Sequence, residues 1–215
     1  RAYLASGGTP ELGVFDVSDP ANPQRLGSFV APGENTALHD LSVFNGRAYL
    51  NGSFGGFYVV DTLADPDNAT LIGQWAPEVP AYSHSSWVIT VGGRTIAVHG
   101  DEGYDAHIKI IDVDPESPEF MQQIGDFKLR PEVSVHNIMA SGNLAYFANY
   151  QDGVRIVDLS DPTNPQQVAY YNTWTQERSG AAFFEGAIGI DLDLERGLIY
   201  VTDTTNGLMI LRIIE

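Results

Sequence analysis

Three histidines stand at one position of a recurring pattern. His39 opens "HDLSVF", His84 opens "HSSWVIT" and His136 opens "HNIMAS". His39 and His136 each precede the first residue of an Ala-Tyr run by 9 residues, at Ala48 and Ala145, and His84 precedes Thr95 by 11, with extra residues around "VGG". Imidazoles that converge with a carboxylate can hold zinc, copper or iron, and an open position on such a metal binds substrate or activates water. In the last unit no histidine opens the strand, and Glu185 in "FFEGAIGIDLD" is the nearest carboxylate. The candidate metal ligands are thus His39, His84, His136 and Glu185. The competing reading is structural: a histidine at this point bonds a polar group of a neighbouring turn and locks the strands together. Recurrence in successive units favours the structural role, because a metal needs one site. The next residue in each copy differs, Asp40, Ser85 and Asn137, which makes the surroundings chemically uneven and keeps both readings open.

Other chemistry is sparse. The sequence has no Gly-x-Ser-x-Gly elbow, no phosphate-cradling glycine motif and no His-Glu-x-x-His. "GAIGIDLD" superficially suggests a glycine loop but opens a strand rather than a helix, which removes the anion-binding mechanism. With no cysteine, thiol catalysis, disulfides and cysteine zinc sites are all excluded. No catalytic residue is assigned. His99 and His107 fall in "HGDEGYDAHIK", expected to be a solvated loop. "DTLADPDNAT" is rich in oxygen ligands, but its spacing does not match a calcium-binding EF-hand loop, so calcium is a minor expectation there.

The elements that position these residues repeat. Gly-x-hydrophobic-x-Asp segments begin near Gly13, Gly56, His107, Gly153 and Gly207, each preceded by a second alternating run such as "GRAYLNGS" or "NLAYFANY". Alternating β-branched and aromatic residues bounded by Gly, Asn and Asp read as strands joined by turns. A complete unit has four: A at the histidine, B at the Ala-Tyr run, C ending in Asp, and D in segments such as "QQVAYY". Ala2, Ala48, Thr95, Ala145 and Ile199 mark the period at spacings of 46 to 54 residues. Four short antiparallel strands at that period predict an all-β fold, a β-propeller with four-stranded blades and about five repeat units. In "SDPANP" and "SDPTNP" the prolines stop strand C, and Asp19 and Asp161 are placed to cap the turn.

The segments "GVFDVSDPANP" and "GVRIVDLSDPTNP" resemble LVIVD repeats. The run "VHNIMASGNLAYFANYQDGVRIVDLSDPTNPQQVAYYNTW", with the later "GAIGIDLDLERGLIYVTDTTNGLMILR", is similar to the choice-of-anchor B group of exported bacterial proteins. The resemblance implies a propeller and an extracytoplasmic location. It implies no particular reaction.

Strand A is innermost in a propeller, so the three histidines are expected around one mouth of the central channel, beside the turns between strands B and C. Asp40, Asn137, Asn149, Tyr150 and Asp203 are the candidate ligand-binding residues of that mouth. The aromatic stretch Tyr170 to Gly186 breaks the repeat rhythm and is the candidate specificity loop.

Composition bounds the partners. Asp and Glu number 28 against 11 Lys and Arg, a formal net charge of -17, a poor surface for nucleic acid or anionic membrane. No run of 18 apolar residues offers a transmembrane segment. The expectation is a single propeller domain over residues 1–215, with further blades upstream in the natural chain. It is secreted or surface-exposed, and binds a protein or small ligand on the channel-mouth face. The alternatives are a metal-dependent enzyme with a divalent transition metal at the axis, and a structural protein assembling through strand edges.

Overall fold

The computed structural model describes residues 1–174 and 183–214. Among them every sheet is antiparallel and the strands meander in chain order. The first sheet holds β1 (Ala2–Ala5), β2 (Glu11–Asp16) and β3 (Gln24–Val30). The next four strands are β4 (Thr36–Phe44), β5 (Arg47–Ser53), β6 (Phe57–Asp61) and β7 (Thr70–Trp75). They join a second foursome, β8 (Tyr82–Val91), β9 (Arg94–Glu102), β10 (Ile108–Asp112) and β11 (Gln123–Phe127), through the pair Ser53 and Ser83. A further four-stranded sheet contains β12 (Ile138–Ser141), β13 (Leu144–Ala148), β14 (Val154–Asp158) and β15 (Gln166–Tyr171). The last contains β16 (Ala187–Asp193), β17 (Leu198–Asp203) and β18 (Gly207–Arg212).

The core is a series of layers between consecutive groups of strands. Successive side chains on a strand point to opposite faces, and in the middle strands both faces are buried. On β6, Tyr58 and Val60 pack toward Leu12 and Leu50, while Phe57 and Val59 pack toward Val88, Ala97 and Ile111. On β9, Ile96 and Val98 face Ile138 and Phe147 of the following sheet, whereas Ala97 faces back to Tyr49. On β13 the same division sends Ala145 and Phe147 one way and Tyr146 and Ala148 toward Ile199 and Val201. A one-residue slip would exchange two cores at once, so the register is strongly specified.

The ladders fix which features share an end. Thr36, Ser53 and Phe57 lie at one end of the β4–β5–β6 ladder, and Phe44, Arg47 and Asp61 at the other. The starts of inner strands therefore lie with the turns between middle strands, and the Asp-Pro loops lie at the opposite end. Those loops cap themselves: Asp19 Oδ1 accepts the Ala21 amide at 3.1 Å, and Asp161 Oδ1 accepts the Thr163 amide at 3.0 Å. In "DTLADPDNAT", Asp65 bonds the Asp67 amide and the Asn68 side chain, so its oxygens serve the turn. The Asp161 loop also seats against the preceding sheet, where a Cβ on Gly125 would lie 2.2 Å from the Pro162 carbonyl oxygen.

Candidate functional site

The inner strands β4, β8, β12 and β16 pack one against the next, which brings their starting residues together. Each histidine sits where the ladder is irregular. Between Thr36 and Asp40, three residues including His39 face Gly52 alone, and His84 is the extra residue between Ser83 and Ser85. His136 and Asn137 both bond the backbone of Ala148 before the regular pairing of Ile138 with Phe147 begins. Such bulges re-aim a side chain that the pleat would otherwise direct into a layer between sheets. The result is a row of rings, with His39 and His84 centroids 4.4 Å apart and His84 and His136 centroids 4.3 Å apart.

The three histidines are not equivalent. His39 is exposed, and its Nδ1 lies 3.1 Å from the Tyr82 hydroxyl. His84 is buried, and its Nδ1 has no hydrogen-bond partner. Burial, then the neighbouring His136 and His39, lower its pKa from 6.5 to about 3. His136 is half-buried, and its Nδ1 lies 2.7 Å from the Ile188 carbonyl oxygen on β16.

The carboxylate that faces the imidazoles is Glu102, at the end of β9. Its Oε2 lies 3.7 Å from His84 Nε2 and its Oε1 3.8 Å from His136 Nε2. One donor atom from each of His84, Glu102 and His136 lies within 4.8 Å of the others, the only such group of His, Asp and Glu among the described residues. The Tyr150 hydroxyl donates to Glu102 Oε1, and burial together with that carboxylate raises the phenol's pKa. Tyr150 adopts a left-handed backbone, φ 40°, in the turn after β13. This conformation costs a non-glycine residue of order 1–3 kcal/mol and tends to persist where function holds it. Glu185 is exposed and outside the group, as is His39.

The candidate ligand-binding residues divide. Asp40 is half-buried; burial raises its pKa, against the Leu41 amide and the Ser85 hydroxyl. Asn137 is half-buried beside His136, and Asn149 is buried with an unpartnered side-chain nitrogen. Asp203 serves its own turn instead: it accepts the Thr173 hydroxyl at 2.6 Å and the Thr205 and Asn206 amides at 2.9 Å. Of the aromatic stretch from Tyr170 to Gly186, residues 175–182 lie outside the described residues.

His99 is a correction. It lies inside β9 rather than in a solvated loop, with no exposed surface, its Nε2 3.0 Å from Asp101 Oδ1 and its ring between Phe57 and Trp75. Lys109 donates to the other oxygen of Asp101. Burial opposes charge on Asp101, but His99 and Lys109 prevail and hold its carboxyl below the usual range. No sequence motif marks this buried polar network.

A cavity of about 470 Å³ opens beside the imidazole row, lined by Phe54, Tyr82, Glu102, Tyr104, His107 and others. Glu102 belongs to both the cavity and the cluster. A second groove, of about 570 Å³, lies between β15 and β18 and is lined mainly by apolar residues such as Ile156, Ile199 and Ile210. It lies away from the titratable groups of the mouth.

Sequence and structure comparisons agree with this architecture. The LVIVD repeat family matches residues 2–30 and 134–173. No curated protein matches the sequence. Among solved structures, BamB from Moraxella catarrhalis is similar with a TM-score of 0.63 at 9% identity, covering 98% of this chain and 54% of BamB. This chain therefore spans about half the length of that protein. The computationally designed Ika4 protein is similar with a TM-score of 0.57 at 9% identity, covering 84% of this chain and 94% of Ika4. The chain is an all-β protein in which residues 2–30 and 134–173 match the LVIVD repeat, and its fold is similar to that of the β-propeller BamB.

Proposed function

We propose that the chain is an extracytoplasmic β-propeller binding module that engages a protein or small ligand on the histidine-bearing face. In this reading the sheets are five blades of one domain over residues 1–215, with β1–β3 and β16–β18 as three-stranded ends, in a protein of the choice-of-anchor B kind. The observation that carries the reading is the mouth itself. Two bulged strands and the segment before β12 bring His39, His84 and His136 together, and Glu102, Tyr82 and Tyr150 converge on them beside a cavity. Ligand sites are typically concave, with a few convergent polar groups. The strongly acidic surface supports a secreted or cell-surface setting and partners other than nucleic acid.

A second reading, a metal-dependent enzyme, is favoured by the same convergence of His84, Glu102 and His136. It requires a metal and a substrate at the cavity. Assembly through strand edges is the third, supported by the exposed apolar residues Leu208 and Ile210 on β18.

Photo-crosslinking tests the binding face. A crosslinking residue replacing Asp40 or Asn137 should capture a partner in the producing cells, and one replacing Asp161 at the opposite end should not. Equal capture from both ends, or capture from Asp161 alone, would remove the proposal.

A further inference from the structure

We propose that His84, Glu102 and His136 form a three-ligand site for a zinc-class divalent transition metal that joins the β8–β9 ladder to the sheet of β12. This rests on the reading of the mouth as the binding face and gives that face a defined chemistry. It also replaces the ligand set expected from sequence, with Glu102 in the place of Glu185 and His39 left outside.

The geometry of His136 is the first argument. A carbonyl oxygen only accepts hydrogen bonds, so the 2.7 Å contact with Ile188 requires a proton on Nδ1 of His136. In the neutral ring that leaves a lone pair on Nε2, the atom 3.8 Å from Glu102 Oε1. With Nδ1 committed to the carbonyl, Nε2 is the ring atom available to a metal, and it faces the carboxylate. A backbone carbonyl on the distal nitrogen is also how metal-bound histidines are commonly oriented.

Three further observations agree. His84 Nε2 approaches the other oxygen of the same carboxylate at 3.7 Å, so both imidazoles address one group. Tetrahedral zinc with bonds of about 2.0–2.1 Å sets its ligand atoms roughly 3.3 Å apart. The two contacts to Glu102 are about half an ångström wider than that, and the ligand atoms of all three residues lie within 4.8 Å of one another. The Tyr150 hydroxyl donates to Glu102 Oε1 and holds the carboxylate in place, from a left-handed turn residue whose backbone also bridges to Ala187. Two nitrogens and one oxygen select zinc, cobalt, nickel or copper over calcium and magnesium, which prefer oxygen ligands throughout. Three protein ligands leave a fourth position open, and one of them, Glu102, also lines the adjoining cavity.

The test is a cobalt titration of untagged, chelator-treated protein, followed by visible spectroscopy, with zinc in competition. The expected result is one equivalent with tetrahedral d–d absorption, displaced by zinc. Glu102→Gln should weaken affinity by about 100-fold or more while the circular dichroism stays unchanged. His136→Ala should do likewise. Should His136→Ala fail to fold, Glu102→Gln decides alone. Absence of one-equivalent binding, or wild-type affinity in Glu102→Gln, would overturn the inference. Crosslinking from Asp40 repeated with chelator separates the two proposals: capture that persists without any metal binding leaves the binding face standing and removes the metal.

Discussion

His136 Nδ1 donates to the Ile188 carbonyl oxygen across 2.7 Å, tying the start of β12 to β16 of the next sheet. The opposite nitrogen of the same ring looks toward Glu102. One imidazole therefore locks two sheets on one side and, in the proposed site, offers a ligand atom on the other. Losing one partner of such a bond leaves a polar group without its match, at a cost of about 1–3 kcal/mol. His136→Ala should lose stability in that range in urea unfolding without metal; an unchanged midpoint would show that the bond contributes nothing.

His84 behaves differently, and pH exposes it. Its folded pKa is about 3 against an ordinary 6.5, mainly through burial. Below pH 6.5 the unfolded chain takes up a proton that the folded chain refuses, so the unfolded state gains. The histidine's contribution is fully present above pH 6.5 and is lost as pH falls toward 3, by up to about 1.4 kcal/mol per unit. Urea unfolding from pH 7 to mildly acidic values should therefore fall more steeply for the wild type than for His84→Leu. Parallel curves would mean that His84 titrates normally.

Packing between repeat units rests on a close approach at Gly125. Any side chain there meets the Pro162 carbonyl oxygen at 2.2 Å, a backbone atom that no change of rotamer can move aside. Gly125→Ala should destabilise by about 1–3 kcal/mol, as overpacking does elsewhere, measured by thermal or urea unfolding. A neutral result would show that the loop is not held against β11.

Much of the architecture was readable from residue types. Alternation marks the strands, and prolines and aspartates end them, because these signals are local. The histidines were found because a repeat position survives insertion and drift. Glu102 was not, for a physical reason: its approach to His84 depends on the single extra residue in β8. A bulge shifts which side chains meet without any signature in composition. Glu185 was chosen because it heads the last unit, yet the chain turns at Gly186, φ 111°, and leaves the carboxylate in solvent. The glycines and the aspartate that follow His99 suit a turn as well as a strand, and residue types alone do not separate the two. In β9 the glycine allows Val135 and Ile138 to close over the strand, and the aspartate is satisfied by His99 and Lys109.

The central claim is that the row of imidazoles serves binding, beyond the tie between sheets that His136 makes. His84 tests it most directly, since it is buried at the middle of the row with an unpartnered Nδ1. Replacing an unsatisfied buried polar group by an apolar one of similar size is neutral or stabilising. Urea unfolding at neutral to slightly alkaline pH, with chelator present, should show His84→Leu at least as stable as the wild type. A loss of about 2 kcal/mol or more would contradict the account and return this histidine to the framework.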